Sequence, residues 1–152
     1  MLFRSNVSQI MTKDVKSLAL EMNAKEALDI LFKMRISGLP VMDEQGKLVG
    51  VFTEKDILKS ILPTYLENVG KFIYAENPKG IKSKVAGLAK IKIKDIMRKD
   101  VVTVNEDTTL CEVARVMLTQ KIRRMPVLNK EGKVSGIVAR EDVVKALTKD
   151  EE

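Results

Sequence analysis

Apolar and polar residues alternate along the chain with two periods, and the same succession of periods occurs twice. Val15–Leu18 and Val101–Val104 each read as a short strand. A polar stretch follows, with Asn23-Ala24-Lys25-Glu26 in one place and Thr109-Leu110-Cys111-Glu112 in the other, a spacing that predicts a helix start closed by a capping box. Ala24, Ala27, Leu28 and Leu31 then recur at i, i+3, i+4 and i+7, matched by Leu110, Val113, Ala114 and Met117, so each helix buries one face. Leu39–Met42 and Leu48–Phe52 flank the polar turn Asp43-Glu44-Gln45-Gly46; Met125–Leu128 and Val134–Val138 flank Asn129-Lys130-Glu131-Gly132. Both predict β-hairpins in which the turn glycine supplies a positive φ. A last helix begins near Glu54 and again near Arg140. The order in each copy is β-α-β-β-α.

Pro40-Val41 returns 86 residues on as Pro126-Val127, and at that offset residues 10–59 align with 96–145 without a gap. Ile10, Met11, Lys13, Asp14, Val15, Glu26, Ile36, Gly46, Lys47, Gly50, Asp56 and Lys59 all recur unchanged. The chain therefore reads as repeat 1 over 7–60, a connecting segment over 61–92 and repeat 2 over 93–149, forming one module. A unit of ~60 residues buries too little surface to stand alone comfortably. Its sheet is covered by helices on one face only, so the expected partner for the other face is the second copy, packed sheet to sheet about a pseudo-two-fold axis with two equivalent clefts. In the connecting segment, Leu62-Pro63-Thr64 should end a helix and Asn77-Pro78-Lys79-Gly80 form a turn or loop. Residues 81–89 are expected to make a short helix that carries Val85 and Leu88 against the module's edge.

Composition narrows the chemistry. Hydrophobic residues make up 45% of the chain, enough to fill a core, and 27 Lys and Arg against 21 Asp and Glu give a net charge of +6 that favours anionic partners. The chain has no histidine, which removes the commonest general base and the commonest transition-metal ligand. A lone cysteine, Cys111, cannot form an intrachain disulfide or a zinc site, and its apolar neighbours suggest a small buried residue. No nucleophile–base pair and no glycine-rich phosphate loop is legible, so the expectation is a protein that is not an enzyme. Met1-Leu2-Phe3-Arg4-Ser5 turns polar too soon for a signal peptide, and no apolar run reaches the ~18 residues of a membrane span, which points to the cytoplasm.

Gly50-Val51-Phe52-Thr53-Glu54-Lys55-Asp56 and Gly136-Ile137-Val138-Ala139-Arg140-Glu141-Asp142 resemble the signature of cystathionine-β-synthase (CBS) repeats. So do Asp95-Ile96-Met97 and Ile36-Ser37-Gly38-Leu39-Pro40-Val41. The resemblance implies an α/β (α+β) pair of CBS repeats, a Bateman module, whose clefts bind adenosine-containing ligands: AMP, ADP, ATP or S-adenosylmethionine. It also implies that each cleft takes its terminal Asp from one repeat and its walls from the other. One cleft would then combine Thr53, Lys55 and Asp56 with Met97, Asp100, Val102, Ile122, Arg123, Arg124 and Pro126. The other would combine Ala139, Glu141 and Asp142 with Met11, Asp14, Lys16, Ile36, Ser37 and Pro40.

The residue types suit those roles. A carboxylate such as Asp56 or Asp142 can accept from both hydroxyls of a ribose, and both lie in the first turn of a helix, where free N–H groups favour anions. Thr53 at the cap can orient a phosphate or the Asp. Arg123 and Arg124 suit forked contacts to phosphates. Plainer readings stand beside these: Thr53-x-x-Asp56 is also an ordinary N-cap, Arg123 and Arg124 also fit as surface cations, and Met11 and Met97 also fit as core fillers. Ala139 departs from the Ser or Thr that the resemblance leads one to expect, so the two clefts should be unequal, with the Asp56 cleft taking the more phosphorylated ligand. As partners, the reading implies a homodimer through exposed helices and a regulated protein. The competing class is a nucleic-acid-binding or purely structural protein using its basic surface, against which stand 4% aromatic residues and no tryptophan.

Overall fold

Two three-stranded sheets organise the computed structural model, which describes residues 5–62 and 78–149. The first sheet has the order β1-β2-β3, with β1 (Leu18–Ala19), β2 (Gly38–Met42) and β3 (Leu48–Thr53). Helix α1 (Ala24–Met34) crosses from β1 to β2, and α2 (Glu54–Ile61) leaves β3. After the connecting segment and α3 (Pro78–Ala86), the pattern returns as β4 (Val104–Asn105), α4 (Leu110–Gln120), β5 (Arg124–Leu128), β6 (Val134–Ala139) and α5 (Arg140–Thr148). β1 runs parallel to β2 with Leu18 opposite Val41, and β4 parallel to β5 with Val104 opposite Val127. The β-α-β-β-α order expected for each repeat is what forms.

Local sequence explains the boundaries. The Asn23 side chain accepts the Glu26 N–H at 2.8 Å while Glu26 accepts the Asn23 N–H at 3.3 Å, the reciprocal box that starts α1. Thr109 accepts the Glu112 N–H at 3.3 Å in α4. Both helices end on a left-handed residue, Arg35 (φ 57°) and Lys121 (φ 56°). Gly46 and Gly132 each have φ 80°, as the hairpin turns require.

Several expectations need correcting. The first strand of each repeat forms three residues later than the sequence suggests and is only two residues long, because the preceding residues leave the sheet. Pro78 opens helix α3 where a turn or loop was expected; proline suits the first helical position, whose N–H would be unused. Val85 is exposed, while Leu88, in the tight turn Gly87–Lys90, is fully buried against α1's core. Cys111 is exposed: the buried face of α4 runs through Leu110, Val113 and Met117, and position 111 turns away from it. Pro63, Thr64 and Asn77 lie outside the described residues.

By packing, the chain forms two compact units that do not follow the repeats. The first contains Ser17–Glu44 and the described residues from Val49 to Asp100; the second contains those up to Lys16, Gln45–Leu48, and those from Val101 onward. Leu18, Ala27, Leu31, Val41, Phe52 and Ile57 form the first core, completed by Leu88, Ile93 and Met97. Val104, Val113, Met117, Met125, Val127, Val138 and Val143 form the second, completed by Val7. The segment that opens each repeat is thus built into the other unit. Val51 and Arg98 exchange backbone hydrogen bonds at 2.9 and 3.0 Å in the first unit; Thr12 and Ile137 exchange two of 2.9 Å in the second.

Two features hold these segments. Glu21 binds Lys92 at 2.6 Å and Lys94 at 2.9 Å, and the two ammonium groups lower its carboxyl to about 2. Glycines admit the segments closely: a Cβ at Gly50 would lie 2.7 Å from both the Arg98 carbonyl oxygen and Met97 Sδ, and one at Gly136 would lie 2.7 Å from Met11 Cγ.

Candidate functional site

In the first unit, β3 ends at Thr53, whose extended backbone (φ −134°, ψ 168°) turns the chain into α2. Asp56, in that first turn, accepts the Thr53 N–H through Oδ2 at 2.9 Å, with the Thr53 hydroxyl a longer 3.4 Å from the same oxygen. Asp56 is only 7% exposed, and it is the one buried charged residue among those described. No described residue donates to its Oδ1. Burial pushes its carboxyl above the ordinary range, against the opposing effect of the Thr53 N–H.

The entrance of β2 lies against this turn. Ser37 accepts the Glu54 N–H at 2.9 Å, and a Cβ at Gly38 would lie 2.6 Å from the Thr53 methyl. Ile36 packs on the first core, and Pro40 is buried in β2. Met97 is buried beside Gly50. Lys55 is exposed, and exposed Asp100 accepts from Arg98 Nε at 3.3 Å.

The second unit repeats the scheme with different side chains. Asp142 Oδ2 accepts the Ala139 N–H at 2.9 Å, but Asp142 is half-buried and Ala139 offers no hydroxyl. Arg123 accepts the Arg140 N–H at 2.7 Å, Arg124 pairs with Ala139, and Pro126 pairs with Ile137. Arg140 donates through Nη2 to the Ile122 carbonyl at 3.3 Å. Met11 lies against Gly136, Val102 and Ile122 pack on the second core, and Glu141 binds Lys145 at 3.1 Å. Asp14 and Lys16 are exposed.

Unit membership divides the expected groups. Met97 and Asp100 share a unit with Thr53, Lys55 and Asp56, and Met11, Asp14 and Lys16 share one with Ala139, Glu141 and Asp142. The strand residues divide differently between the units. Ile36, Ser37 and Pro40 fall in the unit of Asp56, not Asp142; Val102, Ile122, Arg123, Arg124 and Pro126 fall in the unit of Asp142, not Asp56. The cause is hairpin geometry: an antiparallel pair sets the start of its first strand beside the end of its second, where the helix begins. Sequence reasoning also passed over Arg140. The signal was present at the 86-residue offset, where its counterpart is Glu54.

A family model described as the CBS domain matches residues 7–63 and 93–149, both copies of the repeat. The chain belongs to the CBS-domain family. Among the relatives, protein MJ1426 of Methanocaldococcus jannaschii is 32% identical over 134 residues, covering 80% of this chain and 79% of the relative. Two solved CBS pairs superpose closely. CBSX2, of Arabidopsis thaliana, in complex with AMP gives a TM-score of 0.70 at 28% identity, covering 93% of this chain and 95% of that one. The CBS pair of MJ0100, in complex with 5′-methylthioadenosine and S-adenosyl-L-methionine, gives 0.69 at 29%, covering 94% and 99%. CBS repeats also occur within enzymes: the match to inosine-5′-monophosphate dehydrogenase of Aquifex aeolicus spans only 20% of that protein. Among the described residues, no helix is long and apolar enough to cross a membrane.

Proposed function

We propose that this CBS pair is a regulatory module that binds an adenosine-containing ligand and passes the bound state to a partner protein or through its own homodimer. One observation carries the reading: Asp56 is buried, and one of its carboxylate oxygens has no donor within the described protein. A buried acceptor without a donor is costly, and the vicinal hydroxyls of a ribose offer two. The complexes of CBSX2 with AMP and of MJ0100 with 5′-methylthioadenosine and S-adenosyl-L-methionine support the same ligand class. A binding role, and not catalysis, accords with a chain that contains no histidine.

The test is a thermal-shift and calorimetric panel of adenosine, AMP, ADP, ATP and S-adenosylmethionine. A true ligand at a hundredfold excess over its Kd is expected to stabilise the fold by about 2.7 kcal/mol. If no compound raises the melting temperature and none gives a binding isotherm, the reading is wrong.

The homodimer rests on repeated exposed apolar residues. Phe32 on α1 is 61% exposed and its counterpart Leu118 on α4 is 73% exposed; Leu58 on α2 and Val144 on α5 form a second exposed pair at the same offset. Residues of this size left in water on both units suggest a surface that a second copy covers. Sedimentation velocity should show a dimer that Phe32→Glu combined with Leu118→Glu converts to a folded monomer. A wild-type protein that sediments as a monomer would rule the dimer out.

A further inference from the structure

We infer that α3 and the tight turn after it form a docking surface for an acidic segment of a partner protein, with Lys82, Lys84 and Lys90 set around Val85. The inference rests on the reading above that a partner receives the bound state, and it names that partner's chemistry. Charge singles out the place. Residues 78–100 hold eight Lys and Arg against two Asp, which is the whole of the chain's net charge of +6. Residues 1–77 hold ten cations and ten anions, and residues 101–152 hold nine of each, so both are neutral.

The fold presents this charge in the open. Lys82, Ser83, Lys84, Val85 and Ala86 are all exposed, and at ~100° per residue five successive exposed positions leave no side of that part of α3 covered. A helix of nine residues is marginal without packing, and α3 carries three lysines with no acid to offset them. Lys82, Lys84 and Lys90 form no ion pair with a described carboxylate. Lys92 and Lys94, farther along the same stretch, converge on Glu21 at 2.6 and 2.9 Å. Acidic side chains from a partner extend that pairing to the three lysines left without it.

Other occupants fit this surface less well. A second copy brings the same positive charge and is repelled. A lipid surface needs a broader apolar face than α3 offers, since its one large exposed apolar residue is Val85, at 45%. Residues 78–100 include no aromatic ring on which a base could stack, and their one arginine, Arg98, is paired with Asp100 at 3.3 Å. A nucleic-acid backbone also leaves Val85 in water. An acidic segment that includes an aliphatic residue covers Val85 while its carboxylates meet the lysines around it, an apolar centre within a charged rim.

Fluorescence anisotropy on the full chain tests the surface with three labelled probes: a short peptide of Glu, Asp and Leu, the same peptide with Ser for Leu, and a single-stranded DNA of equal charge. Co-sedimentation with vesicles containing phosphatidylserine adds the lipid arm. The wild type is expected to bind the Leu peptide most tightly, with affinity falling as salt rises. Lys82→Gln/Lys84→Gln/Lys90→Gln should weaken that binding about tenfold. Lys33→Gln/Lys130→Gln/Lys149→Gln removes equal charge from exposed positions elsewhere and should weaken it about twofold or less. Val85→Ser should cost the Leu peptide about threefold and the Ser peptide nothing. Absence of peptide binding, equal losses in the two triple variants, or tighter binding of the DNA or the vesicles each overturns the assignment. The adenosine panel reads separately. If the peptide binds and no adenosine compound does, the ligand-sensing reading falls and the docking surface stands; the opposite result removes the docking surface alone.

Discussion

Asp56→Asn is expected to weaken adenosine-ligand binding by about a hundredfold while leaving the unliganded protein as stable as before, or more so, at neutral pH. The two effects separate because the carboxylate's two oxygens have different duties. Oδ2 accepts the Thr53 N–H at 2.9 Å, and an asparagine oxygen can do the same, so the cap of α2 survives. Oδ1 has no donor among the described residues, and in the proposed complex it accepts from the ribose. Asparagine replaces that acceptor with an NH₂ group facing hydroxyl donors, and the charge that strengthened both bonds is gone. Charge-assisted hydrogen bonds contribute about 1.5–3 kcal/mol each, so losing one or two accounts for the hundredfold.

The stability half follows from the same burial. Desolvation raises the folded-state pKa of Asp56 above the 3.8 of an ordinary aspartate. Below 3.8 both folded and unfolded chains hold the proton, and no cost arises. As pH rises from 3.8 through the folded value, the unfolded chain ionises first, so stability is lost across that window and stays lost at neutral pH. Asparagine never ionises and escapes this loss. Melting curves from pH 3 to 8 should show the wild type losing ground relative to Asp56→Asn as pH rises. A buried, destabilising charge kept where asparagine would cap equally well is the pattern of a residue retained for binding. An Asp56→Asn protein that binds with unaltered affinity would show that the ribose contact is elsewhere.

Much of this was legible in the residues. The hydrophobic periods gave both hairpins and both long helices, and the 86-residue offset revealed the duplication before any family was invoked. Asp56 stood out because a repeat fixed its position and a helix start gave it a role. What the sequence hid was long-range docking. Ile93-to-Asp100 opens the second repeat in sequence yet completes the first core, because periodicity reports which face of a segment is buried and not what buries it. The neighbours of the α2 start were hidden for the same reason: Ser37 and Glu54 are 17 positions apart along the chain, and only the closed hairpin brings the Ser37 carbonyl within 2.9 Å of the Glu54 N–H. Cys111 was misjudged by its apolar neighbours, since a helix turns ~100° per residue and position 111 leaves the face that 110 and 113 occupy.

Gly136→Ala is expected to destabilise the fold by about 1–3 kcal/mol, and Met11→Ala is expected to rescue part of that loss. Neither Gly136 nor its counterpart Gly50 has a positive φ, so alanine is acceptable to the backbone and any cost is steric. At Gly136, the nearest atoms to a new Cβ are all in the Met11 side chain. Shortening that side chain to alanine opens the space, so the double variant should be more stable than the two single effects summed, by about 1 kcal/mol. At Gly50, the new Cβ meets Met97 Sδ and also the Arg98 carbonyl oxygen, each at 2.7 Å. Met97→Ala removes only the first. The carbonyl accepts the Val51 N–H at 2.9 Å, so it cannot retreat without breaking the pairing that docks the segment on β3. Gly50→Ala should therefore cost more than Gly136→Ala and resist rescue. Chemical denaturation of the six single and double variants checks the pattern. Equal rescue at both glycines, or a Gly136→Ala protein as stable as the wild type, would mean that the leading segments are not held by close contact at these glycines.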